Sequence, residues 1–107
     1  MSLLSTCILQ KVAETQSGID VTQTWEDLWE FKAVLDTLTM NERAAPFNKE
    51  TVFATHRLII RARAISKAYA AELKEKNRIR IGTTIYDIQG VNDYHGRHYE
   101  VELLEVT

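Results

Sequence analysis

The sequence predicts a mainly β fold, a small barrel or sandwich of about six strands with one long loop and one short helix. Short apolar segments with strand-like alternation recur along the chain, and turn-forming residues separate them. Only residues 66–76 combine good helix formers with a suitable N-cap and basic residues toward the end.

Taken in order, residues 6–12 form a short apolar-leaning first strand, followed by a turn signal at Ser17-Gly18. Residues 24–35 support two readings. Helical spacing collects Trp25, Leu28, Trp29 and Leu35, with Thr24 and Asp27 placed like a capping box. Strand spacing collects Trp25, Trp29, Phe31, Ala33 and Leu35, and periodicity alone does not choose. Residues 39–49 carry the single proline, Pro46, and read as a long loop, a length that is uncommon without a functional reason. Residues 52–62 alternate as a strand, with Val52, Ala54, Leu58 and Ile60 on one face and His56 between them. The helix over 66–76 is expected to make two to three turns.

Residues 78–81 form a short strand ending at the turn Gly82-Thr83-Thr84. Residues 85–91 follow, with Tyr86 and Ile88 on one face, and Asn92 to Gly96 compose a hairpin loop. The last strand, 97–106, aligns Tyr99, Val101 and Leu103, and then Leu104 and Val106 break the alternation, which predicts a bulge or bend. The expected core comprises Trp25, Trp29, Leu58, Ile60, Tyr86, Ile88, Tyr99 and Val101.

A chain of 107 residues supports one domain, 1–107, with a modest core whose stability a partner or oligomer would raise. Net charge is −2, from 13 basic and 15 acidic residues well mixed, so no electrostatic footprint for general nucleic-acid binding stands out. Cys7 is the only cysteine, which excludes an intrachain disulfide and a multi-cysteine zinc site and reads as a small buried or edge hydrophobe. The first residues lack the basic flank and apolar run of a signal peptide, and nothing approaches transmembrane length. The expectation is synthesis in a cytoplasm with no membrane partner.

Catalytic and nucleotide motifs are absent: the four glycines form no phosphate loop, and there is no nucleophile elbow and no His-Glu-x-x-His helix. No cofactor, metal or catalytic residue is expected. His95-Gly96-Arg97-His98, beside Asp93 and Glu100, is the nearest approach to a metal site, and a polar hairpin tip is the favoured reading. Arg57, Arg61 and Arg63 line up on the outward face of the 52–62 strand as a possible interface, for acidic residues of a neighbour or for DNA.

Three segments taken together carry a resemblance: Trp25 to Ala33 (Trp-Glu-Asp-Leu-Trp-Glu-Phe-Lys-Ala), Ala54 to Arg61 (Ala-Thr-His-Arg-Leu-Ile-Ile-Arg) and Tyr86 to Asn92 (Tyr-Asp-Ile-Gln-Gly-Val-Asn). In their order and spacing the chain resembles the head–tail joining family of tailed phages, which includes the stoppers that close the DNA-filled head. The resemblance implies a small β-barrel, makes residues 25–35 a strand, and makes residues 36–51 a loop that projects into a ring lumen. Met40, Glu42, Arg43, Pro46, Phe47 and Asn48 are then the channel and intersubunit residues. It implies a structural virion protein of the neck, made in the host cytoplasm. Its partners are copies of itself in a ring, dodecameric when assembled, a portal or adaptor protein, a tail protein, and packaged DNA in the channel. The residues leave two rivals: a tail-completion neck protein, and a small β-barrel module that binds a peptide or nucleic acid. The 66–76 segment looks longer than the family's ordinary connection.

Overall fold

The computed structural model describes residues 4–38 and 54–106. Among them are six strands: β1 (Leu4–Ser17), β2 (Asp20–Thr37), β3 (His56–Arg61), β4 (Arg78–Ile81), β5 (Thr84–Asp93) and β6 (His98–Val106). They pair antiparallel in the order β1-β2-β3-β6-β5-β4, and β4 returns to β1, so the sheet closes as a barrel. The connection from β3 to β4 holds a 3₁₀ turn, Ala62–Ala64, and one turn of helix, α1 (Lys67–Ala70).

Alternation builds the interior. Cys7 and Leu9 of β1, Phe31 and Ala33 of β2, Leu58 and Ile60 of β3, Ile79 of β4, Tyr86 and Ile88 of β5, and Val101 and Leu103 of β6 are all buried in one cluster. Adjacent strands place these side chains opposite one another, as in Leu58 against Val101 and Ile79 against Tyr86, so the cross-strand pairs interlock. Closure leaves no open edge along the barrel wall itself.

Two register shifts adjust the alternation. Between Leu9 and Gln10 the partner on β2 jumps from Trp29 to Asp27, leaving Leu28 as an extra residue. Between Ile88 and Gly90 the register on β6 advances by one step, so Gln89 bulges and Val91 rather than Gly90 packs on the core. The expected irregularity near Leu104 therefore falls on the neighbouring strand, opposite Glu102 and Leu103; β6 itself continues to Val106.

The first strand is longer than residues 6–12, because β1 and β2 stay paired to Ser17 and Asp20, well past the point where β4 leaves β1 at Gln10. The turn of this two-stranded ribbon begins at Gly18 with φ +65°, a conformation that glycine adopts without a Cβ penalty, and ends at Ile19, which is 98% exposed. The third strand starts at His56 instead of residue 52, and Val52 lies outside the described residues.

The helix is the largest correction. Ser66 caps it as expected, its hydroxyl accepting from the Tyr69 amide, but α1 ends after one turn. Beyond it the amides of Glu72 and Leu73 reach back only three residues, to the carbonyls of Tyr69 and Ala70. Asn77 takes the Glu72 carbonyl as the acceptor for its own side chain at 2.6 Å, and Leu73 turns into the core. Tertiary packing overrides a short segment whose helix propensity alone cannot sustain a nucleus.

Burial pushes the Cys7 thiol up to about 12. The folded state holds that proton more tightly than the unfolded chain does. Cys7 therefore contributes stability that is intact below pH 9 and declines as pH rises toward 12. Native protein at pH 8 is expected to resist iodoacetamide, with full alkylation after urea is added; rapid labelling of the native state, read by mass spectrometry, would contradict this burial.

Candidate functional site

The register divides the barrel into two poles. At one, Thr37 of β2 meets His56 of β3, His56 meets Leu103, and Val106 meets Ile85. At the other, Arg61 meets His98 and Asp93 meets Tyr99, and the β1–β2 ribbon projects from this end with the Ala62–Asn77 connection beside it.

At the first pole the chain leaves the barrel at Leu38 and rejoins it at Ala54, and both residues are buried. The Leu38 amide donates to the Thr55 carbonyl at 3.0 Å, and the Thr55 amide donates to the Leu103 carbonyl at 2.8 Å. The Thr55 hydroxyl accepts from the Glu105 amide at 2.8 Å, locking the return of the chain onto β6. His56 stands edge-on to Tyr86 at 5.1 Å, with its Nδ1 2.9 Å from the Thr55 hydroxyl, so it is a half-buried residue at the barrel mouth. Met40, Glu42, Arg43, Pro46, Phe47 and Asn48 lie outside the described residues.

The second pole carries a shallow basic cleft of about 530 Å³ lined by Ile59, Arg61, Arg63, Arg97 and His98. Arg63 is not on the strand with Arg61: β3 ends at Arg61, and the 3₁₀ turn carries Arg63 to the barrel rim. Arg57 is separate again, two rungs up β3 and opposite Glu102. The possible interface read from the sequence therefore divides, with Arg61 and Arg63 joining Arg97 and His98 of the β5–β6 hairpin, which the sequence marked only as a polar hairpin tip and not as part of this interface. The missing signal was register, since the pairing of Arg61 with His98 and the Ala62 amide on the Arg97 carbonyl bring these segments together.

The hairpin tip is stiffened locally. His95 and Gly96 have φ of 54° and 75°, and the Gly96 amide donates to the Asp93 carboxylate at 3.0 Å. Tyr94 stacks on His98 with ring centroids 4.7 Å apart. Glu100 accepts a hydrogen bond from the Tyr94 hydroxyl, which holds this phenol above its usual range. Among the described residues, no group of three or more His, Cys, Asp or Glu side chains converges as a metal site would require.

The two tryptophans are corrected from core to pole. Trp29, 39% exposed, stacks on Tyr69 at 5.1 Å and donates from Nε1 to the Ala64 carbonyl at 3.0 Å, so it fastens the connection over the barrel mouth. Trp25 is half-buried on the ribbon, with the Arg78 guanidinium 4.0 Å above its ring. Both belong to β2, where the Leu28 bulge and the departure from the barrel wall carry them beyond the interior. Leu58, Ile60, Tyr86, Ile88 and Val101 are buried in the core, and Tyr99 is half-buried at its margin.

At the root of the ribbon, Asn77 is 2% exposed and ties three segments together. Its Oδ1 accepts from the Val12 amide, its Nδ2 donates to the Glu72 carbonyl, and its own carbonyl accepts from the Ile88 amide. Gln10 lies beside it, donating to Asp27 and accepting from Arg78, each at 2.7 Å.

A comparison with curated proteins gives no match. Among solved structures, the solution structure of protein SF1141 from Shigella flexneri 2a aligns with a TM-score of 0.70 at 20% identity, covering 97% of this chain and 93% of that one, which supports the shared fold. The family model described as phage head completion protein matches residues 3–106. The chain therefore belongs to the phage head completion protein family, a family of structural, virion-associated proteins.

Proposed function

We propose that the chain is a head-closure subunit. It forms a ring on the portal or its adaptor after packaging, narrows the channel with residues 39–53, and presents its far surface to the tail. The observation that carries this reading is the position of that fifteen-residue segment. It departs from and returns to a single pole of a closed barrel, between buried anchors at Leu38 and Ala54. A stiff barrel with a long segment held at both ends suits a subunit that must place one loop at a ring axis. Copies in a ring share weak contacts that become strong together, which compensates for the small size of each subunit. Met40, Pro46 and Phe47 would occlude the lumen or seat between neighbours, and Glu42 and Arg43 would pair across them. The ring, its dodecameric count, the contact with packaged DNA and the tail surface all belong to this proposal.

Deleting Met40 to Asn48 should leave the barrel folded, with its far-ultraviolet spectrum and cooperative melting retained, while phage assembled with it yield heads that lose their DNA. Electron microscopy of such particles decides the matter. DNA retained normally in tailed particles would remove the loop from closure, and full heads beside unfinished tails would favour a tail-completion role.

A further inference from the structure

The outward face of the β3–β6 pair is a ladder whose charge balance fails at one end. Its rungs set Arg57 opposite Glu102, Ile59 opposite Glu100, and Arg61 opposite His98. The first rung supplies its own counter-charge, and the last does not. At that last rung Arg63 and Arg97 join Arg61 around the cleft. Among the described residues no carboxylate lies within ion-pair distance of any of the three guanidinium groups. Like charges gathered without a counter-ion repel, and a guanidinium fork is shaped to take a carboxylate through two parallel hydrogen bonds.

The surroundings select among anions. Ile59 lines the cleft, while Tyr94, 41% exposed and stacked on His98, and the exposed Trp29 border the same pole. Arginine and aromatic side chains beside an apolar residue are the composition of a protein-binding hot spot. Glu100 and Glu102 continue the same face directly beyond His98. A nucleic-acid backbone following this face would run its phosphates into those carboxylates, and the chain as a whole is acidic, with net charge −2. A peptide segment can set acidic side chains on the arginines and an apolar one on Ile59, whose rung it shares with Glu100, while ending short of Glu102.

We infer that the Arg61–Arg63–Arg97 cleft is a docking seat for an acidic segment of another protein of the phage neck, one that presents carboxylates beside an apolar side chain. The neck assignment comes from the proposed function; the anion chemistry of the cleft stands apart from it.

The test begins with the purified full chain, labelled for heteronuclear NMR and titrated with the acetylated, amidated hexapeptide Glu-Glu-Glu-Leu-Glu-Glu. Shifts should centre on residues 59–63 and 96–98 and fade at high salt. The Arg61→Glu/Arg97→Glu variant should bind about tenfold more weakly or worse, with its spectrum otherwise native, since both side chains are exposed. Lys74→Glu, on the other side of the connection, should bind as wild type. Unchanged binding by the double variant, or the absence of localised shifts, overturns the inference. Tighter binding of a DNA duplex at the same residues and salt also overturns it, in favour of nucleic acid. Complementation separates this result from the neck reading. Phage lacking the gene yet fully infectious would defeat the neck reading. Defective phage restored completely by the double variant would defeat the docking seat alone.

Discussion

Replacing Leu58 by alanine is expected to lower the stability of the barrel by about 3 kcal/mol and the midpoint of thermal unfolding by roughly 15 °C. Leu58 is fully buried on β3, with Leu35 of β2 as its neighbour on one side and Val101 of β6 on the other. It bridges the strands on which the barrel wall turns from the first hairpin to the rest of the sheet. Truncation leaves a void among three strands that hydrogen bonding holds in register, so collapse around it is limited. Leu58→Met, which keeps most of the volume, should cost less than about 1.5 kcal/mol. Urea unfolding of both variants checks the claim. Equal losses for Ala and Met would mean that something other than volume determines this position.

Asn77→Leu is expected to cost about 2–3 kcal/mol although it adds apolar surface to a buried site. The substitution removes the acceptor for the Val12 amide and one of the two donors to the Glu72 carbonyl, which keeps the Lys74 amide at 3.0 Å. Asn77→Asp separates the two roles. It keeps the acceptor for Val12 but sets a carboxylate against the Glu72 carbonyl and against Glu72 Oε2, which is 3.2 Å from Nδ2 in the native protein. Burial and repulsion raise the folded-state pKa of the introduced carboxyl. That variant should therefore be weakest at neutral pH and recover as pH falls and the carboxyl takes up a proton. Amide exchange at Val12 should accelerate in the leucine variant and much less in the aspartate variant measured at low pH. An aspartate variant whose stability loss relative to wild type is the same at pH 7 and pH 4.5 would exclude this account.

The parts of the fold that were legible are those written in local alternation. Tyr99, Val101 and Leu103 of β6, and Tyr86 and Ile88 of β5, announce their faces because residues two apart share a side of a strand. Residues 24–35 were ambiguous because the Leu28 bulge puts an apolar residue out of phase, and helical and strand spacing then collect nearly the same side chains. The ribbon was invisible because Glu14, Thr22, Gln23 and Thr24 are exposed on it and carry no apolar stripe. The helix over 66–76 was overextended because propensity registers Ala and Lys but not a buried asparagine that claims a carbonyl. At the basic cleft, Arg61 and Arg63 could be singled out from one segment. Arg97 and His98 join them only through the register of β6 on β3, and a single sequence does not disclose non-local pairing.

Closure of the sheet also says how the chain is parted along its length. Residues 4–38 make one hairpin, β1–β2, and residues 54–106 make a four-stranded sheet, β4-β5-β6-β3, in which β4 to β6 meander and β3, the first in sequence, lies beside β6. The two meet along two short seams, Val34–Thr37 on His56–Ile59 and Ile8–Gln10 on Arg78–Arg80. Each half satisfies most of its backbone by itself, and each exposes an apolar concave side that only the other half covers. Completing the barrel is thus an association between two sections of one chain, and the intervening segment sets their effective concentration. Lengthening that tether by a few residues weakens the association only logarithmically. The segment at the first pole is consequently free to vary in length and composition while the barrel it springs from stays closed.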